Sequence, residues 1–147
     1  MTLLAAAIRT LVIALGIGVA HAVVAHHSYA MFDGTRTVTV TGTVAKLEWT
    51  NPHVFVWVYV PNAAKESGFE LYAFENGSPN VLARLGWSKT TFATGDELTI
   101  EYWPLNDGRT GGHFAAATRA DGSSIRGAGG PRGVDGSLPP ASAAEAP

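Results

Sequence analysis

Histidine has the widest chemical reach of any side chain in this sequence. It occurs as an adjacent pair, His26-His27, and singly at His53 and His113, with His21 just upstream of the pair. Neutral imidazole is the commonest nitrogen ligand for copper, zinc, iron and nickel. The pair gains a further donor if the processed chain begins at His26. Its α-amine and ring then chelate one metal, and a ring from His53 or, more weakly, His113 completes a T-shaped three-nitrogen site of the kind that favours copper. A chain beginning at Ala25 would offer amine, two amide nitrogens and the His27 ring as a square plane for copper(II) or nickel(II). A plainer reading stands beside these: two polar residues at a chain start, their rings hydrogen-bonded or in water.

The segment before the pair decides between them. Leu11 to Ala20, LVIALGIGVA, is an apolar run behind Arg9 and ahead of small residues. A bilayer span needs about 20 apolar residues, so this shorter run reads as the core of a secretory signal peptide. Small residues at −3 and −1 fit cleavage after Ala22 or after Ala25, and only the second leaves the free amine on His26. The expectation is a signal peptide over 1–25 and a periplasmic or secreted chain. No later run is long and apolar enough to suggest a stable membrane anchor after cleavage.

Two polar residues could serve the histidines. Asn51 precedes Pro52-His53 in a turn that its own chemistry would shape, and the plainer role for Asn51 and His53 is to hydrogen-bond that loop. Glu75 stands before Asn76-Gly77-Ser78-Pro79. It could complement a helix start or a turn amide, or orient a histidine by accepting its second ring N–H. Phe55, Trp57 and Tyr59 alternate along one face of HVFVWVYV, and Tyr72 and Phe74 follow in the next strand. Together they could stack a ligand, although the expectation is that they fill the core while the valines pack under a helix.

The elements that would position these residues are mostly strands. RTVTVTGTVAKLEW alternates, carries Gly42, and changes phase between Val44 and Leu47, the mark of a bulged strand serving two sides of a barrel. HVFVWVYV and FELYAFE follow. Ser78, Pro79 and Gly86 then bound a short helix with Val81, Leu82 and Leu85 at helical spacing. Glu97 to Trp103 and HFAAATRADG complete five strands, with NDGRTGG, including Gly111-Gly112, read as a loop. This order predicts an all-β fold, a five-stranded OB-like Greek-key barrel with one helix between strands 3 and 4. The barrel is expected over 26–122. A Gly/Pro/Ala/Ser-rich tail is expected over 123–147, too poor in apolar surface to order itself.

Composition trims the functions. Lys and Arg number 10 against 12 Asp and Glu, a formal charge of −2, which argues against nucleic acid as a partner. The chain has no Cys, hence no thiol nucleophile or zinc knuckle. Nucleophile-elbow, phosphate-loop and HExxH patterns are missing, so an enzyme is not expected.

HHSYAMFD, TGTV, EWTNPHVFV, ENGSPNVLARLGW and TGDELTIEYWPLNDGR, in that order, resemble a family of small exported bacterial proteins carrying a domain of unknown function. The resemblance spans most of residues 26 to 122. It implies an exported bacterial protein with a small β-barrel and brings no activity. Two functional readings result. One is an exported binding module that takes copper through His26 and His27, with His53 as the added ring. The other is a metal-free module holding a small ligand or a protein at the barrel mouth or the aromatic face.

Overall fold

A computed structural model describes residues 29–129. The chain divides into two compact units, Met1–Met31 and Phe32–Pro147. Of the first, residues 29–31 are described, as a bend leading into a turn. The expected signal peptide lies outside the described residues.

The second unit contains β1 (Val38–Glu48), β2 (Phe55–Pro61), β3 (Phe69–Glu75), helix α1 (Pro79–Arg84), β4 (Glu97–Pro104), β5 (Gly111–Arg119) and β6 (Ser124–Arg126). The strands lie in the order β3-β2-β1-β4-β5-β6, and a parallel β3–β5 pairing closes the first five into a barrel. That is the OB order expected from the sequence, with the helix between β3 and β4.

The long first strand makes closure work. Val38 to Thr43 pair with β4, while Thr43 to Glu48 pair with β2. The register slips between Val44 and Lys46, so Ala45 is a bulge that turns the strand from one neighbour to the other. At Gly42 a Cβ would run into the Tyr59 carbonyl and the Val58 side chain, which is why the bend carries glycine.

Val44, Val54, Val56, Val58, Phe74, Leu98, Ile100 and Phe114 fill the interior. Leu82 of α1 closes one side of this core, beside Trp87, whose ring meets Phe92 at 5.3 Å and Phe114 at 5.1 Å edge to face. Pro79 opens the helix. The Ser78 carbonyl accepts from the Val81 and Leu82 amides, but its hydroxyl caps nothing. Of Val81, Leu82 and the C-cap residue Leu85, only Leu82 is buried, because so short a helix aims one large side chain inward.

Two expectations are corrected. Gly111-Gly112 is not a loop but the start of β5, where that strand is squeezed between β3 and β4. A Cβ would collide with the Ala73 carbonyl at Gly111 and with the Trp103 carbonyl at Gly112. The tail does not begin at Ser123: Ser124 to Arg126 pair with Thr118 to Ala116 as β6. The Trp87 indole N–H donates to the Arg126 carbonyl at 2.6 Å, and the Ala128 amide donates to Asn76 Oδ1 at 2.8 Å. A strand this short orders through backbone bonds and borrowed partners, so its Gly- and Ser-rich composition does not announce it. Among the described residues no helix is long and apolar enough to cross a membrane.

Candidate functional site

His53 sits at the end of the β1–β2 connection, on a backbone tied just beyond it. Asn51-Pro52 is cis. Just beyond His53, the Val54 amide donates to the Gly77 carbonyl at 3.1 Å and the Asn76 amide donates to the Val54 carbonyl at 2.9 Å. Phe55 pairs with Glu75 in the β2–β3 ladder. These bonds bring the end of the loop against the end of β3. His53 Nδ1 lies 2.7 Å from Glu75 Oε1, an ion-pair contact. The Glu75 side chain is 19% exposed and the His53 side chain 36%. Burial raises the Glu75 carboxyl above its usual range, while the His53 charge pulls it back.

The other neighbour of Glu75 is a second histidine. Glu75 pairs with His113 across the parallel β3–β5 contact, and His113 pairs with Trp103 on β4. Residues opposite one another in a ladder share a face of the sheet. One row therefore runs Glu48, Phe55, Glu75, His113, Trp103 across five strands. His113 is 3% exposed, with the Phe32 ring at 5.4 Å and the Trp103 indole at 5.6 Å. Its pKa falls to about 4: burial disfavours the imidazolium, the His53 charge adds to that, and a hydrogen bond to the Gly129 backbone opposes both. At neutral pH His113 is an uncharged ring.

The sequence-named residues thus separate. His53, Glu75 and His113 come together, and Glu75 serves a histidine rather than a turn, since the Gly77 amide goes to Asn76 Oδ1 at 2.8 Å instead. Asn51 is exposed, and its carbonyl accepts from the Thr50 hydroxyl at 3.4 Å. His26 and His27 lie outside the described residues. What sequence reasoning missed is the meeting of Glu75 with His113. The Gly111-Gly112 step before His113 was its signal, because paired glycines in a strand mark a close backbone approach.

The five aromatics do not form one stripe. Val54, Val56 and Val58 take the inward positions of β2, and Phe74 joins them in the core with Tyr72 half-buried beside it. Phe55, Trp57 and Tyr59 face outward, against the expectation of a core role. A narrow barrel already holding Phe74, Phe114, Ile100 and Leu98 accommodates β-branched residues along β2 and not a run of large rings. Trp57 also carries an N–H that needs a partner, and outside it finds Glu48 Oε2 at 3.0 Å.

Chemically, the two histidines next to Glu75 offer a part-exposed imidazole from the loop and a neutral, buried one from β5. With Nδ1 committed to Glu75, the other nitrogen of His53, Nε2, is the one placed to meet a ligand. A carboxylate accepting from the second nitrogen is the usual support for a metal-bound histidine. Among the described residues, however, no three His, Asp or Glu side chains are grouped to hold a metal ion. The described donors fit part of a metal site and would need others to complete it.

A protein-family model, the family of unknown function DUF6152, matches residues 15–115. The chain belongs to this family. No curated protein and no solved structure matches it. The family supplies no activity, so the chemistry rests on the residues.

Proposed function

We propose that this protein is an exported β-barrel binding module that holds copper, with His53 as the ring supplied by the barrel. The observation that carries the reading is the 2.7 Å contact between His53 Nδ1 and Glu75 Oε1, which engages one nitrogen of a part-exposed imidazole and leaves Nε2 as the nitrogen for a ligand. Nitrogen donors suit copper, and an oriented ring loses little freedom on binding it. The remaining donors come from His26 and His27 once the signal peptide is removed, through the α-amine and ring of His26. His113, sealed under Phe32 and Trp103, acts as a neutral wall behind Glu75 rather than as a ligand.

Export and metal binding are tested together on protein secreted by its own leader. Intact mass and N-terminal sequencing identify the first residue, and a copper(II) titration against a competing chelator gives the affinity. The reading expects a chain starting at His26 and tight one-to-one binding that His26→Ala weakens by at least about a factor of ten. A chain starting at Val23, or equal affinity in His26→Ala, contradicts it.

A further inference from the structure

The outward face of β2 and β3 is a second surface, which meets the metal reading only at its Glu75 end. Its rows are set by the ladder: Glu48, Phe55 and Glu75; then Lys46, Trp57 and Ala73; then Thr43, Tyr59 and Leu71; then Pro61 and Phe69. Down the middle run four aromatic rings. Phe55 and Trp57 lie 6.1 Å apart, and Tyr59 and Phe69 4.9 Å apart. Tyr59 is 42% exposed, Phe69 45% and Leu71 42%. At about 3.3 Å per residue, Phe55 to Pro61 covers roughly 20 Å.

The flanks of this strip say what it fits. Polar groups border the rings: Glu48 and Thr43 on the β1 side, and Glu75 with His53 at one end. The nearby cation is not free to neutralise phosphate, because Lys46 Nζ is held by Glu48 Oε2 at 2.8 Å. The same carboxylate takes the Trp57 indole N–H and so locks the ring plane. Nucleic acid needs cations that this face lacks. A purely apolar partner would strip water from the bordering carboxylates and leave their second oxygens without a donor. A sugar chain answers both halves: its C–H faces stack on rings, and its equatorial hydroxyls donate to carboxylates at the rim.

We propose that the outer face of β2–β3 is a binding strip for a neutral oligosaccharide. Phe55, Trp57, Tyr59 and Phe69 form the stacking floor, and Glu48 and Glu75 accept hydroxyl hydrogen bonds. This does not rest on copper, and it predicts that His26→Ala leaves sugar binding unchanged.

The test is isothermal titration of the full chain at millimolar concentrations of cellohexaose, chitohexaose and mannohexaose, with intrinsic tryptophan fluorescence compared in parallel between the unaltered protein and Trp57→Phe. Saturable binding to at least one of them is expected. Trp57→Ala and Tyr59→Ala should each weaken it by about tenfold, on the scale of a lost stacking ring. Trp57→Phe keeps a ring, guards against misfolding, and should keep most of the affinity. Three results overturn the proposal: no binding to any of the three sugars, binding unchanged in both alanine variants, or a dimer that Tyr59→Glu converts to monomer, which would make the strip an interface between two copies of this chain.

Discussion

His53 and His113 both neighbour Glu75, the first by a side-chain contact and the second by strand pairing, and have opposite fates. His53 reaches Glu75 from a surface loop, keeps 36% of its side chain exposed, and is held by a 2.7 Å contact. His113 reaches the same residue from inside the strand pairing, is covered by Phe32 and Trp103, and stays uncharged to about pH 4. The residue type is identical, so the difference comes from the backbone that delivers each ring. A loop end leaves a nitrogen in water, whereas a strand squeezed between two neighbours removes the ring from it. The comparison leaves one histidine exposed at a loop end and packs the other into the barrel wall.

The largest expected break is a charge at the sealed position. His113→Asp would bury an unpaired carboxylate near Glu75 and should cost roughly 3–5 kcal/mol in denaturant unfolding, whereas His53→Ala should cost less than about 1 kcal/mol. Equal losses at the two sites would erase the distinction.

Acid sharpens it next. The folded-state pKa of His113 lies below the unfolded value of 6.5, so the unfolded chain binds more protons between those limits. Its contribution to stability is fully present above pH 6.5 and is lost as the pH falls toward 4. The loss amounts to roughly 2–3 kcal/mol. His113→Gln should flatten that part of the pH–stability curve, and His53→Gln should leave His113 to titrate. Glu75 is a second contributor with a raised pKa, and its sign is opposite. Its folded-state preference for the proton favours the fold at low pH, so Glu75→Gln should steepen the acid loss.

A smaller effect falls on the shared partner. Glu75→Gln removes the His53 contact's charge but also a carboxylate that burial already disfavours, so it should change stability by less than about 1 kcal/mol. The same change should weaken metal affinity by about 10-fold or more if Glu75 orients a ligating ring. A variant that keeps its affinity would leave Glu75 a purely structural residue.

How much of this was readable beforehand follows from the kind of signal each feature carries. The alternation of Val and Thr around Gly42, the Ser78-Pro79 helix start and the five-strand order are local patterns, and the barrel they imply is the one observed. The inward face of β2 was not readable, since Val54, Val56 and Val58 on one side and Phe55, Trp57 and Tyr59 on the other are both apolar. Barrel width decides between them, and no local window contains it. Glu75 and His113 meet only because β3 and β5 pair in parallel far apart in sequence. Gly111-Gly112 looked like a loop because glycine's use in turns is commoner than its use at a tight strand crossing. Ile125 lay hidden in a Gly- and Ser-rich run whose order depends on Trp87 and Asn76. His53 was named correctly as the loop histidine, and its partner was named as one of several roles for Glu75.

The central claim is that His53 lends its ring to a bound copper ion while His113 does not. The direct measurement is copper(II) affinity of the secreted, processed protein beside its His53→Ala and His113→Gln variants, each checked for folding by circular dichroism. The account predicts that His53→Ala weakens binding by at least about tenfold and that His113→Gln stays close to the unaltered protein. Binding that survives His53→Ala unchanged would contradict it.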